Sequence, residues 1–533
     1  MTKPLRGIPA SAGRRWGPAV MVGGPAVPTV ASADLAPALR RVRRDLERER
    51  KVAAGPARDI LFAHLQLLSD PLLADRALAL AAQGRDGIAA WQQATAEAAR
   101  VLESLGEELF RSRVADLRDV SGRVLAALAA PVRSRLAAGS VVLAPELLPS
   151  LVLWGARQGA VAFAGLTGSP SSHACIILRS LGIPAVVGVP GVLALEGQEV
   201  LVDGDRGLVV SSPSPAAKRR AQAPRPPGDA RPAVTREGQV IPVACNVADT
   251  QEVELAAAMG ADGIGVYRTE LLFAGRQSAP SAHLQERRYR EAVALMAGRP
   301  VIIRALDAGS DKPLAYLHPG PEANPALGWR GLRALLDRPR LFAAQVRAVL
   351  GTAEAGPVSL LLPMVTSLAE LRRARELIEG VRGERPLPLG VMIEVPAAAS
   401  QAEALAGECD FLSIGTNDLL QYFFAADRTN SRLAGRYCAL EPAFLRLLGS
   451  VAEAGRRRGV PVHLCGELAS DPKLVPLLLG LGITELSVRP PTVPAVKAAV
   501  RATGPESREL AREACSCVTA EEAAGLLTEH STP

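Results

Sequence analysis

One histidine in this chain stands where chemistry could be done on it. Between Leu166 and Gly188 a loop of small residues, Gly168 to Ser172, runs directly into His173, and apolar residues at helical spacing follow. The pattern predicts a short amphipathic helix that begins at His173 and stops at Gly182, after which Pro184 opens an apolar strand, Ala185 to Val187. Ser171 and Ser172 are residue types that cap a helix N-terminus. An imidazole at such an end lies among free backbone N–H groups and the positive end of the helix dipole. Both favour an incoming anion, a phosphoryl group above all. A surface or capping histidine is the plainer reading, and the stretch alone leaves both open.

A second set of charged residues is spread through the C-terminal half. Apolar runs at Val240 to Val247, Gly263 to Tyr267, Val301 to Leu306, Ser359 to Val365, Leu389 to Val395, Phe411 to Ile414, Val462 to Cys465 and Thr484 to Val488 read as buried strands. Helical stretches separate them, among them Thr250 to Met259, Leu284 to Met296, Leu368 to Glu379 and Glu441 to Arg458. Eight strands alternating with helices predict a (β/α)8 barrel. An open doubly wound sheet is the alternative, weakened because no glycine-rich dinucleotide fingerprint follows the first strand.

In a barrel the residues just past the strand C-termini converge on one face. Here those positions carry Arg268, Thr269 and Glu270, then Arg304 and Asp307 with Asp311 and Lys312, then Glu394, then Thr416, Asn417 and Asp418, then Cys465 and Glu467. One arginine at a strand end is ordinarily a salt-bridge partner. Several cations beside isolated carboxylates suit a multiply anionic small molecule bridged by a divalent metal.

The elements that must carry these residues follow from the chain pattern. Residues 1–28, rich in Gly, Pro and Val, predict short strands without a fold of their own. Helical periodicity takes over from about Ala33 to Ala129, with helices over Arg40 to Lys51, Ile60 to Leu68, Trp91 to Phe110 and Val114 to Leu128. His64 falls in the second of these and reads as a packed or partner-facing residue. Strand-like runs return at Val141 to Ala144, Ala160 to Phe163, Ala185 to Val187 and Val200 to Val202. Their partner is the stranded N-terminal segment, which makes the helical region an insertion. Ser211 to Thr235, dense in Pro, Ala, Ser and Arg, reads as a linker. The expected organisation is an α/β multidomain chain. Residues 1–32 and 132–212 form an N-terminal α/β domain around His173, 33–131 an inserted helical bundle, 213–236 a linker, and 237–533 the barrel.

Composition sets the remaining bounds. At 533 residues, 48% hydrophobic and 22% charged, the chain is globular, and 3% aromatic content argues against stacking platforms for nucleic acid. The net charge of +7 comes from scattered arginines, which suits a solvated surface or phosphate ligands. Seven cysteines without a CxxC pair fit free thiols in a reducing cytoplasm. No apolar run reaches the length of about 18 residues that a membrane span needs.

Six stretches of the chain carry a family resemblance. Gly168-Ser169-Pro170-Ser171-Ser172-His173-Ala174-Cys175-Ile176 with Arg179 is similar to the signature around the phosphorylated histidine of enzymes that use phosphoenolpyruvate. Gly263 to Glu270, Asn324 to Arg330, Met392 to Pro396, Ser413 to Leu419 and Leu464 to Glu467 resemble enzyme I of the sugar phosphotransferase system. The resemblance runs in the same order over nearly the whole chain. It implies that His173 takes the phosphoryl group of phosphoenolpyruvate and hands it to the carrier protein HPr, docked on the helical insertion, with release of pyruvate. This would be the first step of sugar uptake by that system. By position, Glu394 and Asp418 would hold Mg2+ or Mn2+. Arg268, Arg304, Arg330 and Arg428 would grip phosphoenolpyruvate with Lys312 and Asn417 nearby, and Cys465 would protonate the departing enolate. A buried core thiol is the plain reading of Cys465. Relatives dimerise through the barrel, so a cytoplasmic homodimer is expected. The family pattern departs at Leu166, Ser169 and Val152; the last stands where a threonine would hydrogen-bond the imidazole. A regulatory protein that senses phosphoenolpyruvate with degenerate activity is the alternative from another class.

Overall fold

The computed structural model describes residues 4–22, 34–52, 56–71, 73–104, 108–128, 136–170, 172–222, 229–274, 276, 278–309, 314, 316, 317, 322, 324–427 and 437–529. The chain divides into two compact units, residues 1–225 and 226–533.

The first unit is built on a mixed eight-stranded sheet. Its strands are β1 (Leu5–Arg6), β2 (Ile8–Ser11), β3 (Arg14–Met21), β4 (Val141–Ala144), β5 (Ala162–Gly165), β6 (Ala185–Val187), β7 (Glu199–Asp203) and β8 (Leu208–Ser211). They lie in the order β1-β8-β7-β3-β4-β5-β6-β2, with β3 to β6 parallel to one another. Alternation splits the central strands between two faces. Val142, Ala144 and Phe163 join the core that holds Val152, Ala174 and Ile177, while Val141, Leu143 and Ala162 pack with Val200 and Val209.

Between the adjacent parallel strands β3 and β4 the chain makes one long excursion through helices α1 (Leu35–Val52), α2 (Pro56–Leu68), α3 (Ala74–Ala82), α4 (Gly87–Ser104) and α5 (Glu108–Leu128). Their core gathers Leu46, Leu61, Ala77, Trp91, Leu117, Val120 and Val124. Phe110 belongs to α5 and not to the end of α4; the sequence puts Gly106, a weak helix former, between the two. Strands β4, β5 and β6 are joined by α6 (Pro149–Arg157) and α7 (His173–Ser180), and the sheet is followed by α8 (Pro215–Gln222). That last helix lies in the stretch read as linker. Its Lys218 sits 4.3 Å above the Trp16 ring and pairs with Glu199.

The second unit opens with a short ribbon, β9 (Ala233–Val234) and β10 (Val240–Ile241), and closes a parallel barrel. The staves are β11 (Val243–Val247), β12 (Ile264–Tyr267), β13 (Val301–Arg304), β14 (Val358–Leu362), β15 (Leu389–Ile393), β16 (Phe411–Ile414), β17 (Val462–Leu464) and β18 (Glu485–Val488). Pairing of β11 with β18 completes the ring, so the open-sheet alternative fails. Val266, Ile302, Leu361, Met392 and Phe411 fill the interior, and Cys465 adjoins them at the C-terminal end. Among the described residues no helix is long and apolar enough to cross a membrane.

The opposite end of the barrel holds an acid–base pair with a testable consequence. His463 on β17 stacks on Phe411 at 5.0 Å, and its Nε2 lies 3.5 Å from Glu485 Oε2 on β18. Burial, with Asp262 adding, pushes the Glu485 carboxyl up to about 7 from its ordinary 4.5; burial pushes His463 down to about 4. Glu485 therefore contributes stability that is fully present below pH 4.5 and lost as pH rises through about 7. The lowered His463 contributes stability present above 6.5 and lost as pH falls through about 4. Glu485→Gln removes only the first dependence. The variant should gain on the wild type between about pH 4.5 and 7, by up to about 3 kcal/mol. Urea midpoints of the two proteins that keep a constant gap across that range would sink the assignment.

Candidate active site

His173 is the first residue of α7, and the side chain of Ser172 caps that helix by accepting from the Cys175 N–H at 3.4 Å. Gly182, just past the helix, has φ +64, the left-handed turn that glycine permits. The preceding loop is tied down at several points. Thr167 Oγ1 donates to the Pro145 carbonyl at 2.9 Å, and Arg179 Nη1 reaches the carbonyls of Pro170 and Ala10 at 2.8 and 2.9 Å. Gly168 sits at φ +130, a backbone conformation that side chains with a Cβ rarely adopt.

The imidazole is held from the helical insertion. Its Nδ1 lies 3.0 and 2.9 Å from the two carboxylate oxygens of Asp116 on α5. Asp116 is buried, and its Oδ1 is also 3.2 Å from Nε2 of the fully buried His64 on α2. Burial works to raise the Asp116 pKa; the hydrogen bonds of His173 and His64 overcome it and hold the carboxyl at about 2. An ionised carboxylate only accepts, so each histidine donates its facing N–H. His173 is thereby fixed as the Nδ1–H tautomer in its neutral form, with the lone pair on Nε2. One turn along α5, Asp119 accepts from the backbone N–H of Ser150 at 3.0 Å and from its hydroxyl, capping the start of α6, and lies 3.6 Å from His64 Nδ1. Val152, in contrast, is fully buried among apolar neighbours. The orienting bond that the resemblance assigns to a threonine at that position is supplied here by Asp116.

At the C-terminal end of the barrel a second cluster forms. Arg330 is 1% exposed and grips Asp307 with two bonds, Nε to Oδ1 at 3.2 Å and Nη2 to Oδ2 at 2.7 Å; its Nη1 donates to Tyr422 Oη at 3.2 Å and lies 3.8 Å from Asp418. Arg304 Nη2 donates to Glu270 at 2.6 Å and lies 3.5 Å from Asp307. Burial works against the Arg304 cation, but Glu270, Asp307 and Glu394 around it outweigh this and push its pKa upward. Behind these groups Gln345 Oε1 accepts from the Leu306 N–H at 2.9 Å and Thr269 Oγ1 donates to the Arg304 carbonyl at 3.1 Å, so the ends of β12 and β13 are locked.

Glu394, 1% exposed at the end of β15, accepts from the Met364 N–H at 2.6 Å. Met364 has φ +55, a left-handed conformation that is strained for a side chain of its size. Burial, with Asp418 and Asp307 adding, pushes the Glu394 carboxyl up to about 7 against the pull of Arg304 and Arg330. A Cβ on Gly415 would stand 3.0 Å from that side chain, so glycine there makes the room. Asn417 Oδ1 accepts from the Glu467 N–H at 3.1 Å. Cys465 is buried with its Sγ 3.3 Å from the Ile414 carbonyl. Burial pushes its thiol up to about 11, with Glu394 adding and Ser413, Arg304 and Arg268 opposing. Arg268 lies exposed just past β12.

The barrel thus brings Arg304, Arg330, Glu394 and Asp418 into one charged network, with Cys465 coupled electrostatically to Glu394, Arg304 and Arg268. Lys312, Arg428 and the capping candidate Ser171 lie outside the described residues.

The sequence is similar to known proteins over most of its length. Residues 228–504 match the PEP-binding domain of PEP-utilising enzymes, 136–207 their mobile domain and 6–113 their N-terminal domain. The phosphoenolpyruvate-protein phosphotransferase of Haloferax volcanii is 39% identical over 489 residues, 88% of this chain and 86% of that protein. The chain belongs to the phosphoenolpyruvate-protein phosphotransferase family. Multiphosphoryl transfer proteins of Rhodobacter capsulatus and Xanthomonas campestris are also 39% identical, and the chain spans 60% and 62% of their lengths. Among solved structures, an NMR solution structure of enzyme I is 28% identical and covers 41% of this chain at a TM-score of 0.33.

In this member of the phosphotransferase family, Asp116, His64 and Asp119 were not legible as site residues. The signal that was available is a pair of aspartates three apart, Asp116 and Asp119, on the apolar face of an otherwise ordinary amphipathic helix. A buried carboxylate needs a partner, and two at that spacing ask for one.

Proposed function

We propose that the chain moves the phosphoryl group of phosphoenolpyruvate onto His173, releases pyruvate, and passes the group to a histidine of the carrier protein HPr, the first step of sugar uptake by the phosphotransferase system. The observation that carries this reading is the His173–Asp116 pair. Asp116 occupies Nδ1 and leaves the lone pair of Nε2 as the nucleophile. As the Nε2–P bond forms, the bond from phosphorus to the enol oxygen breaks and its electron pair leaves with the enolate. The ring becomes cationic, and the ionised Asp116 neutralises it at under 3.1 Å. The N-terminal amides of α7 favour the arriving phosphoryl oxygens.

In the barrel, Arg268, Arg304 and Arg330, with Arg428, Lys312 and Asn417, would bind the phosphate and carboxylate of phosphoenolpyruvate. Asp307 and Glu270 hold Arg330 and Arg304 in place before substrate arrives, so little reorganisation is left to pay during the transfer. The thiol of Cys465 stays protonated at neutral pH and would give its proton to the enolate carbon, making pyruvate, and then regain one from water.

Glu394 and Asp418 fit a divalent cation. The like charges of Asp418 and Asp307 together with burial hold Glu394 far above its ordinary value, and a cation would relieve that crowding. No cluster of three or more potential side-chain ligands occurs among the described residues. Substrate oxygens and water would complete the shell, as Mg2+ commonly requires and as Mn2+ accepts. When bound, the ion would neutralise charge on the departing phosphoryl group. The seven free thiols support work in the reducing cytoplasm, and a homodimer through the barrel is the assembly proposed.

The full chain mixed with phosphoenolpyruvate and Mg2+ should release pyruvate equal to the enzyme present, and go on to many turnovers only when HPr is added. With EDTA it should release none. Phosphoenolpyruvate binding without any pyruvate would replace this reading with a sensor.

A further inference from the structure

Between the helical insertion and α6 lies a cavity of about 470 Å³ that the phosphotransfer reading does not use. It opens where α1, α5 and α6 meet and is lined by Arg41, Arg48, Arg123 and Arg157, with Asp45 and Glu49 as the carboxylates. We propose that this cavity binds a small organic dianion, a phosphomonoester or a dicarboxylate, at a site distinct from both His173 and the barrel.

Four guanidinium groups against two carboxylates leave a lining charge of +2, which a dianion would cancel. The volume falls within the range of about 300–1,000 Å³ typical of small-molecule pockets. The arrangement of Glu49 indicates what the site accepts. Its two oxygens each take one guanidinium, Oε2 from Arg123 Nη1 and Oε1 from Arg157 Nη1, both at 3.1 Å. One carboxylate bridging two arginines from different helices is the geometry of a bound oxyanion, supplied here by the chain itself.

Donors remain beyond that bridge. Arg123 is 14% exposed, and its Nε is shut off from solvent and faces Asp119 at 3.9 Å, so the free donors come from Arg41 and Arg48. Arg41 has no carboxylate within ion-pair distance among the described residues. Arg48 pairs with Asp45 at 3.4 Å and is largely exposed. A ligand that carries two anionic groups can use donors that Glu49 does not reach, and it competes with that carboxylate for Arg123 and Arg157.

Glycerol 3-phosphate serves as the phosphomonoester probe and succinate as the dicarboxylate probe, each titrated into the full chain in EDTA at pH 7.5, with NaCl at matched ionic strength as the control. Hydrogen–deuterium exchange should show saturable protection in 35–52, 120–128 and 149–157 with at least one probe and none with NaCl. Protection by glycerol 3-phosphate alone assigns the phosphomonoester class, and by succinate alone the dicarboxylate class. Arg41→Ser should weaken binding by about tenfold, and Glu49→Gln, which removes the competing carboxylate while keeping its size, should tighten it several-fold. No protection with either probe, protection matched by NaCl, or a Glu49→Gln variant that binds no better overturns the site.

Discussion

Replacing His173 with alanine should abolish the phosphoenzyme and cut pyruvate release to below about one-thousandth of the wild type, while phosphoenolpyruvate affinity stays within about twofold. The split is expected because His173 opens α7 in the first unit, whereas the arginines and carboxylates proposed for substrate belong to the barrel of the second. Removing the ring takes one partner from the buried Asp116, but His64 still holds that carboxylate at 3.2 Å and the cap of α7 is made by Ser172, so the fold should persist. Two measurements separate the roles: calorimetric binding of phosphoenolpyruvate with Mg2+, and incorporation of labelled phosphate. The wild-type label should be lost in acid and survive base, as a phosphoramidate does. A label that persists in the variant would assign the acceptor to another residue, and a lost affinity would place His173 in substrate binding.

The two halves of the molecule were unequally legible, for a physical reason. In the barrel most strand residues are buried on both faces, so the strands read as largely apolar runs, and the charged residues that follow these runs at their C-terminal ends stand out. Arg304 closing β13 and Glu394 just past β15 are visible in that way. Their partners are less so: Asp307 and Glu270 are strand-end residues like many others, and only the folded chain shows that they clamp Arg330 and Arg304. The His173 loop was legible because glycine and serine before an amphipathic run mark a helix start. Its orienting group was not, because Asp116 lies in an insertion 57 residues away in sequence. A helix pattern reports which face is apolar and says nothing of which polar residue on that face has found a partner across the interface. His64 read as packed, and it is; what sequence could not supply was that it packs against the carboxylate that holds His173. The stretch read as linker failed for another cause. Pro215 to Gln222 is poor in large apolar residues, yet it forms α8, with the Lys218 stem and charge set over Trp16.

Asp116→Asn should slow single-turnover phosphorylation of His173 by about 10² to 10³-fold, equivalent to about 3–4 kcal/mol in the barrier. Two losses add up. An asparagine has a neutral oxygen in place of an anion, so the cationic ring formed in the transfer loses its counter-charge. Its amide can also turn its NH₂ toward Nδ1, which would move the ring proton to Nε2 and remove the lone pair that attacks phosphorus. The fold should survive at neutral pH, although less securely. Asp116 has a depressed folded pKa, so its contribution to stability is present above pH 3.8 and lost as pH falls through about 2; by size of shift it is about 2 kcal/mol. Asparagine forfeits part of that at every pH above this window. The effect on chemistry is distinguished from the effect on stability by phosphoenolpyruvate affinity in the barrel, which should not move, and by the ¹⁵N shifts of His173, which should report a gain of the Nε2–H tautomer. A rate within about threefold of the wild type, with unchanged ¹⁵N shifts, would mean that the contact at 2.9 Å neither sets the tautomer nor stabilises the charged ring.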